Sequence, residues 1–216
     1  MAIWKRLGIF WKQSNCTVRT KLTVYDSIIR SKLMYSLESA ALTPADKKDL
    51  DTFQLKGLRQ ILKLKPTYSA FINEQGQTVP RIIRENTNAN VYATANEKLN
   101  ENNEGNKKQK TECIKKLSEY YEERKCMLIE KLIDSPQYDT VARTTFNPLT
   151  LVPHFHGRKR RGRPNKHWAD ESIKTYWSRI HHNLPLGTDE SYDSKNAEHR
   201  IIIKESAKKR LFSSPP

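Results

Sequence analysis

Nine consecutive residues, Arg158-Lys159-Arg160-Arg161-Gly162-Arg163-Pro164-Asn165-Lys166, carry six basic side chains and no acidic one. A narrow A·T-rich minor groove concentrates negative potential, and extended Arg side chains enter it. Gly162 would let the backbone approach the groove floor, where a Cβ would clash. Pro164 holds an extended turn without needing a partner for its missing N–H. Arg158, Lys159, Arg160 and Lys166 flank this centre and suit phosphate oxygens. A solvated basic loop, a nuclear import signal and a turn leading into a helix near His167 are the other readings of the same string.

A second basic set lies near the N-terminus. Trp4, Trp11, Tyr25 and Tyr35 sit among Lys5, Arg6, Lys12, Arg19, Lys21, Arg30 and Lys32. Aromatics interleaved with cations stack on bases and hold a phosphate backbone. At helical spacing the same aromatics fill a core with the cations outside it, and that reading is favoured here. Arg30, Lys32, Lys56 and Arg59 join the 158–166 string as candidate nucleic-acid contacts.

Other chemistry finds little footing. Cys16, Cys113 and Cys126 are widely spaced and odd in number, which argues against a disulfide framework. Their distances from each other and from His154 and His156 do not match zinc-site spacings. The expectation is two thiols on a helix, Cys113 and Cys126, with one buried. No phosphate-binding Gly loop or nucleophile elbow is present, and Asp170-Glu171 and Glu122-Glu123 are helix neighbours that point apart. No catalytic residue, metal or cofactor is expected.

The elements that would position these residues are helical. Ile3, Trp4, Leu7, Phe10 and Trp11 set a helical period over 2–13, and Leu22, Tyr25, Ile28, Ile29, Leu33 and Leu37 repeat it over 20–38 behind Thr17 as N-cap. Thr43-Pro44-Ala45-Asp46 opens a third helix, with Leu50, Phe53, Gln54, Gly57, Leu58, Ile61 and Leu62 on one face and Pro66 as its stop. Residues 86–106 hold eight Asn, a composition that favours turns, so 66–110 reads as a linker with room for a short helix near 89–99. Residues 111–134 form a strong amphipathic helix along Ile114, Leu117, Tyr121, Leu128 and Leu132, stopped by Pro136. Its apolar face needs a partner helix. Residues 135–166 read as loop, 167–183 as a helix along Trp168, Ile173, Trp177 and Ile180, and 197–211 as a last, weak helix. No strand is expected.

Composition agrees with small cores rather than one large one. The 216 residues are 36% apolar, against roughly 45–50% for an ordinary soluble domain, and mean hydropathy is −0.81. No run approaches the ~20 apolar residues of a membrane span. The net charge of +15 is uneven: residues 1–65 hold thirteen basic and five acidic residues, and 154–216 hold fourteen and seven. Such concentration points to DNA or RNA before a membrane.

Three strings carry a family resemblance. They are Lys21-Leu-Thr-Val-Tyr-Asp-Ser-Ile-Ile-Arg-Ser-Lys-Leu-Met-Tyr-Ser-Leu-Glu-Ser-Ala-Ala-Leu-Thr43, Leu50-Asp-Thr-Phe-Gln-Leu-Lys-Gly-Leu-Arg-Gln-Ile-Leu62 and Arg161-Gly-Arg-Pro-Asn-Lys-His-Trp168. In order and character they resemble the thumb-like and tail region that follows the palm in non-LTR (LINE-like) retrotransposon reverse transcriptases. Ser36 stands where that family usually has Gly. Arg161-Gly162-Arg163-Pro164 also matches the core of an AT-hook. The family's palm motif ends in Asp-Asp, a dipeptide missing here, and the expectation is of a chain without a palm or fingers region before residue 1. The resemblance therefore implies a noncatalytic tail fragment whose residues 1–65 would lie along template and primer.

The expected architecture is all-α and partly disordered: a small helical bundle, a linker and C-terminal helices. Residues 1–65 form the thumb-like unit, 66–110 the Asn-rich linker, 111–183 a helical region with the basic hook, and 184–216 a weakly ordered tail. The expected function is nucleic-acid binding in nucleus or cytoplasm. A helical protein-interaction module acting through 111–134 is the alternative.

Overall fold

The computed structural model describes residues 2–101, 113–135, 139–147, 149–154, 168–181, 192–193 and 195–213. The fold is mostly helical, as expected, with one two-stranded hairpin among the described residues. It divides into two compact units: Met1–Tyr35 with Leu42–Tyr120, and Ser36–Ala41 with Tyr121–Pro216.

The first unit opens with α1 (Ala2–Arg6) and α2 (Gly8–Gln13), then α3 (Val18–Val24), a π-helical turn (Tyr25–Arg30) and α4 (Ser31–Met34). Thr17 caps α3 by accepting from the Thr20 N–H at 3.2 Å. Lys21 is buried, and its Nζ donates to the carbonyls of Trp11 at 3.1 Å and Ser14 at 3.3 Å. The ammonium thus satisfies carbonyls at the C-terminal end of α2, where the helix dipole favours a cation. Ser36 follows α4 with a left-handed φ of 57°, a conformation in which glycine alone is unstrained.

Helix α5 (Pro44–Leu62) starts with a full capping box. Thr43 accepts from the Asp46 N–H and Asp46 accepts from the Thr43 N–H. It ends before Pro66, at a left-handed Lys63 whose successor Leu64 donates back to the Arg59 carbonyl at 2.9 Å. Leu55, Leu58 and Ile61 are buried with Trp11, Leu22, Tyr25 and Ile29 in the first core.

The described part of 66–110, read from the sequence as a linker, contains regular structure that joins the first unit. It holds β1 (Tyr68–Ile72), β2 (Thr78–Ile82) and α6 (Asn88–Asn100), and α6 buries Val91, Ala95 and Leu99 in the same core. Asparagine lowers helix propensity, but here its amides serve neighbouring backbone instead of their own. Asn86 donates to the Lys65 carbonyl at 2.9 Å, and Asn96 pairs with both the N–H and carbonyl of Ile114. The hairpin has no period-two signature in the sequence, and Tyr68, Phe71, Ile72 and Ile82 are exposed apolar residues rather than one buried row.

Burial raises the proton affinity of tyrosines in both units. The Tyr25 hydroxyl, with no hydrogen-bond partner among the described residues, is held above the ordinary tyrosine range, as is that of Tyr92, and Tyr192 is pushed up to about 12. Unfolded tyrosines ionise near pH 10 while the folded ones keep their protons, so this stability is present below about pH 10 and is lost as pH rises through the folded values. A thermal midpoint that falls above pH 10, and falls less in Tyr25→Phe, is the expected outcome of melting at stepped alkaline pH.

Helix α7 (Leu117–Asp134) begins in the first unit and continues in the second. It starts later than expected: Cys113–Lys116 are not helical, so Cys113 is off the helix and exposed while Cys126 is on it and buried. Pro136 lies outside the described residues. The second unit adds α8 (Thr140–Thr145), a Phe146–Pro153 bridge, α9 (Trp168–His181) and α10 (Ala197–Ser213). The described part of 135–166 is thus not all loop. Asp139 caps α8 by accepting from the Ala142 N–H, and Phe146 and Leu151 enter the second core with Cys126, Ile129, Ile173, Trp177 and Ile203. The tail at 184–216 also contributes: α10 buries His199, Ile203 and Ala207 at successive turns.

Candidate nucleic-acid interface

The 158–166 string lies outside the described residues: Arg158, Lys159, Arg160, Arg161, Gly162, Arg163, Pro164 and Lys166 are all among those not described. The four other candidate contacts sit in the first unit, and they divide into two kinds.

Arg30 and Arg59 serve the fold. Arg30 Nε lies 2.5 Å from Asp26 Oδ1, Nη2 donates to Asp26 Oδ2 at 2.5 Å, and the guanidinium carbon stands 4.4 Å from the centre of the Tyr120 ring. The Tyr-Asp-x-x-x-Arg spacing is therefore an ion pair along one helix face, stacked on an aromatic. Arg59 Nη2 reaches Thr67 Oγ1, the Asn86 carbonyl and Asn88 Oδ1, at 3.3, 3.1 and 2.8 Å. This side chain ties α5 to the base of the hairpin and to the start of α6.

Lys32 and Lys56 face solvent. Lys32 borders an open concavity with Ser27, Ile28, Ser31 and Tyr35, on one face of the π turn and α4. Tyr35 is 80% exposed and Ile28 43%, an unusual exposure for residues in a row otherwise half-buried or buried along Leu33 and Met34. Lys56 projects from α5 with Lys48 and Thr52, away from Leu55 and Leu58. Lys5, Arg6, Lys12, Lys32, Lys48 and Lys56 are exposed and enter no ion pair among the described residues.

The aromatics separate along the same line. Trp11 and Tyr25 are buried, and Trp4 stacks on Trp11 at 4.7 Å with 16° between planes, as the core reading expects. Tyr35 alone of the four is open to a ligand.

Two residues of the Leu-Asp-x-Phe-Gln string do work that the sequence reading did not assign. Asp51 accepts from the Ser118 N–H at 2.9 Å and from the Ser118 hydroxyl at 2.7 Å. Gln54, fully buried, donates to the Lys115 carbonyl at 2.9 Å and accepts from the Leu117 N–H at 2.9 Å and the Tyr92 hydroxyl at 2.8 Å. Together they satisfy the amide groups that the first turn of α7 leaves unpaired. A polar Gln inside an apolar stripe was the available signal, because a buried amide must be hydrogen-bonded.

Comparison with protein-family models, with curated proteins and with solved structures finds no match. The site is therefore read from its own geometry. Among the described residues no group of three His, Cys, Asp or Glu side chains is placed to hold a metal ion, and no helix is long and apolar enough to cross a membrane. Burial raises the Cys126 thiol pKa against the opposing pull of Arg179. Of the apolar face expected along 111–134, Ile114, Leu117, Tyr121 and Leu132 are buried and Leu128 is half-buried, and Cys126 and Ile129 are buried as well.

Proposed function

We propose that this chain is a noncatalytic nucleic-acid-binding protein, a remnant of a retrotransposon reverse transcriptase. Single-stranded DNA or RNA lies along the exposed face of the π turn and α4, with a base on Tyr35 and phosphates at Lys32 and the unpaired cations of α1, α2 and α5. The basic string at 158–166 supplies a second contact, to duplex. The observation that carries this reading is the exposed Tyr35 ring beside the unpaired Lys32, in a chain of charge +15. An aromatic platform with adjoining cations binds single strands with little regard to sequence.

Fluorescence anisotropy of labelled single-stranded DNA and RNA with the full chain tests the proposal. Tyr35→Ala and Lys32→Glu should each weaken binding about 10-fold, in line with ~1–3 kcal/mol per stacked base. Lys195→Glu, an exposed cation of the second unit, should have far less effect. Equal affinity for native chain, Tyr35→Ala and Lys32→Glu would overturn the assignment of this face.

A further inference from the structure

The hairpin offers one strand edge that is open and one that is closed. The Ile83 N–H donates to the Thr67 carbonyl at 2.8 Å and the Asn73 N–H to the Gln77 carbonyl at 3.0 Å. With the pairing Tyr68↔Ile82, Ala70↔Pro80 and Ile72↔Thr78, the alternation of an antiparallel ladder turns the N–H and carbonyl groups of Tyr68, Ala70 and Ile72 away from β2. The outward positions of β2 are Thr78, Pro80 and Ile82, and Pro80 has no N–H to offer. A proline at this position blunts the β2 edge, as natural sheets do to prevent unwanted pairing. Nothing blunts β1. No third strand joins the sheet among the described residues, and Tyr68 and Ile72 are 73% and 70% exposed, with Ala70 also exposed.

We infer that β1 pairs antiparallel with β1 of a second copy of this chain, giving a four-stranded sheet across a two-fold axis at Ala70. The sequence of the edge is complementary to itself about that residue. Tyr68 of one protomer lies opposite Ile72 of its partner, an aromatic beside a β-branched residue, and the small Ala70 meets its own copy at the axis. Charge agrees with the direction. Lys63 and Lys65 precede β1 and Glu74 follows it; all three are exposed and without an ion pair among the described residues. Antiparallel pairing sets the basic end of one copy over the acidic end of the other, whereas parallel pairing would set like against like. The contact is isologous and closes at two, because Pro80 denies the sheet a further strand.

Light scattering on the full chain over a concentration series should show a monomer–dimer equilibrium. Ala70→Pro and Ile72→Lys should leave only monomer, with far-UV circular dichroism unchanged in Ile72→Lys. Pro80→Val reopens the β2 edge and should carry assembly past the dimer. In a Cys16→Ser, Cys113→Ser background, Tyr68→Cys mixed with Ile72→Cys should oxidise to a crosslinked heterodimer, and either variant alone should not. A native chain that stays monomeric throughout, an Ile72→Lys variant that dimerises as the native chain does, or crosslinking without regard to register would each overturn the inference.

Discussion

Gln54→Leu is expected to lower the stability of the first unit by about 3 kcal/mol or more, the sum of stranding several polar groups at ~1–3 kcal/mol each. Leucine fits the volume and suits the apolar stripe of α5, so a packing argument alone would call the change harmless. The hydrogen bonds say otherwise. The substitution strands the Leu117 N–H at a buried site and deletes the Gln54 hydrogen bonds to the Lys115 carbonyl and from the Tyr92 hydroxyl at half-buried ones. Denaturant unfolding, with amide exchange followed on α6 and the first turn of α7, reads the effect. Lys56→Leu on the exposed side of the same helix should stay within about 0.5 kcal/mol of native. An unchanged midpoint in Gln54→Leu would mean that α7 does not start on this side chain.

Trp11→Ala is expected to cost about 3–5 kcal/mol, the range for removing an enclosed large aromatic. Trp11 is 1% exposed, stacks on Trp4 and meets Phe10 edge-on at 5.0 Å. Its carbonyl also holds the Lys21 ammonium, so the end of α2 and the indole move together. Tyr35→Ala should leave stability within about 0.5 kcal/mol, because that ring packs on little. The pair of variants separates the two duties of aromatics in a basic segment: one should unfold the protein, and the other should only weaken nucleic-acid binding. A Trp11→Ala variant that melts like the native chain and binds less tightly would reverse the assignment.

What the sequence disclosed depended on whether a residue's role was local. Thr43, Pro44 and Asp46 announce a helix start through contacts three residues long, and the structure builds the capping box from them. Thr17 is similar. The helical stripes of Gln54, Leu58 and Ile61 and of Ile173, Trp177 and Ile180 are periodic and so were legible, and both are buried, whereas Leu50 and Phe53 are only half-buried and the buried Leu55 lay off the expected face. Asn96 was not legible, because its role is to meet Ile114 across eighteen residues, and composition reports only that asparagine prefers turns. The hairpin carried no alternation, and its apolar Tyr68, Phe71, Ile72 and Ile82 are all exposed.

The candidate contacts divide by a property that the sequence does not display, the partners each cation finds in the fold. Arg30 and Arg59 looked like phosphate ligands because a sequence shows charge but not partners. Asp26 on the next helical turn was visible, whereas Tyr120, Asn86 and Asn88 become neighbours only through the fold. Lys32 and Lys56 are exposed and enter no ion pair among the described residues, so the proposal retains them as candidate contacts. Lys21, read as one cation among seven, became a helix cap by burial.

The most direct test of nucleic-acid binding is its salt dependence. Binding of a labelled single strand to the full chain, measured across a series of salt concentrations, should give a logarithmic affinity that falls linearly with the logarithm of salt. The slope for single strands is about −0.7 per phosphate neutralised, so Lys32→Glu should make it shallower by at least that amount. Tyr35→Ala should weaken binding at every salt concentration while leaving the slope as it was, since stacking releases no counterions. An affinity indifferent to salt, or absent at the lowest salt, would contradict the account.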